Sequence, residues 1–248
     1  MNGRLLKYIV IFFAFSVILL ISIWIYRDEQ SKKAENFNSE SFKAIGYTNN
    51  EFDLFCDIAF NRNGERIRKW GTDIKVEIKE PHRLNSSSIA EVDSVIAILE
   101  PLIAPLKIER VWNNGNVYVY RKVDKVRLSD YHTNVPVALK GLTQKNKESD
   151  SSWEINFASV YVREGANTQT LLHEFEHVLG LEHPLRIYPF YITIGRSIIP
   201  ELFYSETEQI YLKHPFYISE QEKTVIRMLY SSEIKSGLHK DYFLNKMR

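Results

Sequence analysis

The 248-residue chain holds a single cysteine, Cys56, so no intramolecular disulfide can staple it. That removes the disulfide-scaffold class and leaves open both a reducing compartment and an exported protein without staples. Excess charge of either sign is also absent: 32 Lys and Arg face 31 Asp and Glu, a formal net charge of +1. No basic run stands out, so neither nucleic acid nor an acidic membrane surface is expected as a charge-driven partner. Internal repeats and low-complexity tracts are missing too. Apolar matter is plentiful, at 44% hydrophobic and 13% aromatic residues, enough to bury a core.

The longest apolar run is Tyr8 to Tyr26, YIVIFFAFSVILLISIWIY, 19 residues without a charge. At ~1.5 Å per residue a helix of this length matches the ~30 Å hydrocarbon core of a bilayer. Residues 1–7 form a short tail carrying Arg4 and Lys7. The length of the run, and Trp24 and Tyr26 at its end, favour an uncleaved anchor over a cleaved signal peptide. Residues 27–50, beginning RDEQSKKAENFNSES, read as a polar linker. Residues 51–248 would then be the functional body of a single-pass membrane protein, extracytoplasmic because a short amino-terminal tail commonly stays inside.

Within the body, Asp73 to Glu80 alternates as a half-buried strand. Ser88 and Glu91 have capping-box spacing at the head of a helix with Ile89, Val92, Val95, Ile96, Leu99 and Ile103, broken near Pro101 and Pro105. Lys107–Trp112 and Asn116–Arg121 read as a strand pair turning at Asn113-Asn114-Gly115. Trp153–Val162 reads as another strand. A helix is expected from Asn167 or Thr168 to Leu179, and a last helix is capped by Ser219 and Glu222. The expected class is α+β: a small mixed sheet with an active-site helix and a C-terminal helix.

The densest chemistry lies in His173-Glu174-Phe175-Glu176-His177-Val178-Leu179-Gly180-Leu181-Glu182-His183. Histidines four apart on a helix share one face, and two neutral imidazoles one turn apart can occupy two corners of a zinc tetrahedron. Glu174 cannot share that corner but can reach a water on the metal as a general base. Gly180 permits the left-handed turn that brings His183 back as a third ligand.

These eleven residues resemble the HExxHxxGxxH signature of the metzincin clan of zinc endopeptidases, complete at all five diagnostic positions. The resemblance implies a membrane-anchored, Zn2+-dependent endopeptidase acting on peptide or protein substrates. His173, His177 and His183 would bind zinc, and Glu174 would activate water. It also implies an edge strand ahead of the helix along which an extended substrate lies antiparallel, here Asn156, Phe157, Ala158, Ser159 and Val160 through Val162. Residues Ser219–Tyr230 resemble the closing helix of matrixins. For the methionine turn that metzincins place beneath the zinc, Leu202-Phe203-Tyr204 fits the chain order and Met228 with Tyr230 fits the residue types. Chain order favours the first, with Tyr204 or Tyr230 as a candidate oxyanion group.

Blander readings cover the remainder. His82, His132, His214 and His239 lack such partners and read as structural or surface residues. Cys56, within DLFCDIAF, reads as a small buried residue. Two alternatives stand beside the peptidase. In one, Glu201 replaces His183 as the third ligand, as in thermolysin-like sites. In the other, the chain is a non-catalytic zinc-containing module that binds a peptide or protein at the membrane.

Overall fold

A computed structural model of the chain describes residues 8, 12–13, 15–22, 36–60, 65–79, 86–123, 141–145, 153–166, 168–186 and 218–248. Tyr8, Phe12, Phe13 and residues 15–22 are helical, with exposed apolar side chains such as Phe12, Phe15 and Leu20. No helix among the described residues is long and apolar enough to cross a membrane. The spanning helix expected over 8–26 therefore finds no support there, and residues 9–11, 14 and 23–26 of it lie outside the described residues.

The domain begins earlier than the linker expectation had it. Helix α1 (Ser39–Lys43) starts where Asn38 Oδ1 accepts from the amides of Glu40 and Ser41. Helix α2 (Asn49–Ile58) starts with a full capping box between Thr48 and Glu51. Phe37 and Phe42 are core residues. With Phe55 they surround Phe243 at ring-centroid distances of 5.0, 5.3 and 5.7 Å. Aromatics this size dominate local burial, so residues 36–50 belong to the packed domain despite their polar setting.

The chain continues through strands β1 (Lys69–Trp70) and β2 (Ile74–Ile78) to helix α3 (Ser86–Leu99) and a 3-10 turn (Glu100–Leu102). Strands β3 (Ile108–Val111), β4 (Val117–Val123), β5 (Gly141–Lys145), β6 (Glu154–Ile155) and β7 (Ala158–Arg163) follow. Helices α4 (Thr168–Val178), α5 (Glu220–Tyr230) and α6 (Lys240–Met247) complete the described elements. Five strands form one mixed sheet in the order β3-β2-β4-β7-β5. Its first four strands are parallel and β5 runs antiparallel to β7 at the edge. β1 and β6 pair separately, in parallel. The result is a mixed α/β domain compatible with the expected α+β class.

One sheet face is apolar and fully buried through Ile74, Val76, Val117, Val119, Ala158, Val160 and Val162. Alternate positions put Glu77, Tyr118, Tyr120 and Tyr161 on the other side, where Tyr120 and Tyr161 stack at 4.8 Å. The expected hairpin of β3 and β4 is overturned: both run parallel to β2, one on each side of it. Val111 ends opposite Glu77 and Val117 starts opposite Val76, so the intervening residues cross over β2. Gly115 makes that crossing, since a Cβ there would lie 2.6 Å from Glu77 Cβ, and its amide donates to Glu77 Oε2 at 3.0 Å.

Candidate metal centre

Helix α4 carries Leu171, Leu172, Phe175 and Val178 inward, all fully buried, which fixes its rotation and turns His173 and His177 to one half-buried face. The helix ends as the glycine predicts, with Gly180 at φ +107°. Leu181 N donates to Glu176 O at 3.1 Å and Gly180 N to His177 O at 3.0 Å, a Schellman motif. The next two carbonyls are closed from elsewhere. Trp70 Nε1 donates to Val178 O at 2.8 Å and Tyr230 Oη to Leu179 O at 2.9 Å. All four terminal carbonyls of the helix thus have partners. Gly180 is also pressed onto strand β1's approach, where a Cβ would collide with the Arg68 carbonyl oxygen.

This turn folds His183 back onto the helix. His183 Nε2 lies 3.0 Å from His177 Nε2 and 3.3 Å from His173 Nε2. The three ligand atoms lie within 4.8 Å of one another. His177 Nδ1 is 2.8 Å from the Leu181 carbonyl, which can only accept, so that nitrogen carries the proton. Nε2 of a neutral His177 then presents a lone pair to the centre. Burial pushes the His177 pKa well below its ordinary value, and His173, His183 and Lys145 push the same way. The donor set fits zinc: two nitrogens ~2.0–2.1 Å from a tetrahedral ion stand ~3.3 Å apart, close to the separations seen.

Glu174 is 4% exposed, turned toward the edge strand. Thr143 Oγ1 lies 2.7 Å from Glu174 Oε2 and 2.9 Å from Glu174 O. Gly141 leaves room for the carboxylate, which a Cβ there would overlap. Burial pushes the Glu174 pKa up to about 7, with the Thr143 hydrogen bond opposing the rise. Two residues further along β5, Lys145 pairs with Glu182 at 2.7 Å. Gly141, Thr143 and Lys145 share one side of the strand by the period-2 rule, and each meets helix α4 or its turn.

Other expected positions fall elsewhere. Ala158–Val160 lies in β7, hydrogen-bonded to β4 on one side and β5 on the other, with Asn156 and Phe157 just ahead of it. The edge expected of that segment is therefore held by Gly141–Lys145, because β5 folds back antiparallel and covers it. Met228 is fully buried inside α5, and the Tyr230 hydroxyl is committed to Leu179 O, so Tyr230 serves as a helix cap and not as an oxyanion group here. Phe203, Tyr204 and Glu201, with His82, His132 and His214, lie outside the described residues. His239 caps α6 through its Nδ1, which accepts from Asp241 N at 3.2 Å. Cys56 is buried as expected, and burial pushes its thiol up to about 12.

Thr143, Gly141, Lys145, Trp70 and Asp57 were not singled out in the sequence. GLTQK has no alternating apolar pattern, because its inward side meets polar groups instead of the core. No protein-family model matches the chain, and no curated protein matches it.

Proposed function

We propose that the chain is a zinc-dependent endopeptidase, a reading carried by one observation: three imidazole nitrogens converge beside a buried carboxylate and the strand that edges the sheet among the described residues. His173, His177 and His183 would hold the ion, leaving a fourth position for chemistry. A zinc ion there supplies Lewis acidity, polarising a peptide carbonyl and acidifying water.

The chain's own residues do the rest. β5 offers its outer edge to an extended peptide, which adds as a further strand by backbone hydrogen bonds. Glu174 takes a proton from the attacking water on a carboxylate oxygen, and its raised pKa suits it to holding a proton near neutrality. As the carbon–nitrogen bond breaks, the same oxygen gives that proton to the leaving amine. Thr143 orients the carboxylate and Gly141 leaves room for it. The apolar stretch Tyr8–Tyr26 supports membrane attachment, which extraction of the full chain by alkaline carbonate against detergent would check.

The competing reading is a zinc-stabilised peptide-binding module, which needs the three histidines and the β5 edge but no base. One experiment separates the two. The zinc-loaded full chain and its Glu174→Gln variant are incubated with a mixed peptide library. Cleavage by the parent alone supports the peptidase. Equal cleavage by both would remove Glu174 as the base, and binding without cleavage by either would leave the binding module.

A further inference from the structure

Helix α2 and the segment holding the third histidine are far apart in sequence yet stitched together. Glu182 N donates to Ile58 O at 2.8 Å, immediately before His183. Immediately after it, Leu185 N and Arg186 N converge on one oxygen of Asp57, Oδ2, at 2.9 and 3.1 Å. Asp57 is itself buried at the carboxy-terminal end of α2. Between the two attachments stand only His183 and Pro184, and a residue before proline is driven to extended backbone. His183 thus sits on a short span pinned at both ends by α2. Gly180 also supports the segment, with the Lys145–Glu182 ion pair, and it sets the direction of the turn but not the distance His183 reaches.

We infer that Asp57 is a positioning residue for the metal centre, holding His183 where its Nε2 meets those of His173 and His177. The inference rests on the three histidines being ligands, as in the proposed function. Partners that orient ligands from behind, when removed, typically weaken metal affinity about 10–100-fold. The two other candidate groupings carry less. In the cluster of Glu65, His239 and Asp241, His239 Nδ1 already accepts the Asp241 amide, which leaves its other nitrogen protonated in the neutral ring. Lys69, buried against the Leu229 and Ser231 carbonyls, caps α5.

The test is zinc titration of the metal-free full chain beside Asp57→Ala, Asp57→Asn, His183→Ala and Ile58→Val. Cobalt(II) absorption spectra and metal-free unfolding are measured on the same samples. Ile58→Val loosens the same helix turn through its side chain and keeps the backbone carbonyl that accepts from Glu182 N. The expected result is zinc binding about tenfold or more weaker in Asp57→Ala. Asp57→Asn, which keeps one acceptor oxygen, should fall in between. The cobalt spectrum of Asp57→Ala should move toward that of His183→Ala, while Ile58→Val binds and absorbs like the parent. Parent-like affinity and spectrum in Asp57→Ala would overturn the clamp alone, as would a loss that Ile58→Val matches at equal destabilisation. A parent chain that takes up no zinc would overturn the metal centre and the clamp together.

Discussion

The two ends of helix α4's functional face are held by different means. At its carboxy-terminal turn every carbonyl is closed: two by the Schellman motif, one by Trp70 and one by Tyr230. Gly180 is packed so tightly there that a side chain has no room. Glu174, one turn earlier, is oriented by a single hydroxyl and a glycine on β5, whose residues are only half-buried. The histidines therefore depend on the core, whereas the carboxylate depends on an edge strand. Under the proposed function, the geometry of the three histidines should be insensitive to peptide arrival, and that of the Glu174 carboxylate should respond to whatever pairs with β5.

The largest effect that would break this contrast is expected from Gly180→Ala. It must adopt a positive φ and displace the Arg68 carbonyl, which combines backbone strain with overpacking at about 3 kcal/mol or more. Urea unfolding of the metal-free chain measures this, and a loss below about 1 kcal/mol would show that the turn is not rigid.

Next comes pH. The folded Glu174 holds its proton up to about 7, above the ordinary 4.5 of an unfolded carboxyl. Between those values the folded metal-free chain binds more protons than the unfolded one. That stability is fully present below about 4.5 and is lost as pH rises toward 7, by up to ~1.4 kcal/mol per unit. Unfolding curves across the window should show this slope in the parent and lack it in Glu174→Gln. A shared slope would assign it to another group.

Tyr230→Phe should cost about 1–2 kcal/mol, because it strands the buried Leu179 carbonyl. As a helix cap and not an oxyanion group, it should leave turnover per folded molecule within about twofold, since losing an oxyanion donor costs ~10²–10³. A turnover loss of that larger size would return Tyr230 to the chemistry. The smallest effect is that of Thr143→Val, expected to lower kcat about tenfold with KM little changed, because it loosens only the base. Thr143→Ser should restore the rate, and failure of that rescue would mean that the methyl group and not the hydroxyl matters.

How much of this was legible beforehand follows the same divide. The helix from Thr168, its stop at Gly180 and the return of His183 are written in local spacing and backbone permissiveness, and they appear where the residues predict. The Ser219–Glu222 capping box likewise stands at the head of α5. Long-range pairing was not legible. Asn113-Asn114-Gly115 looks like a hairpin turn, but the glycine serves to cross over Glu77, a contact nothing local announces. β5 carries no strand pattern in its sequence because its inward residues answer to Glu174 and Glu182 and not to an apolar core. Helix α2 carries a readable signal, the Thr48–Glu51 capping box, within the stretch whose composition reads as a linker. Asp57 carried none, since its partners are backbone amides of residues 185 and 186.

The convergence of the three imidazoles is tested most directly by elemental analysis of the full chain, stripped by chelator, reloaded with zinc and desalted, beside His177→Ala. The account predicts one zinc per parent chain and none retained by the variant. Zinc absent from the reloaded parent, or held equally by His177→Ala, would contradict it.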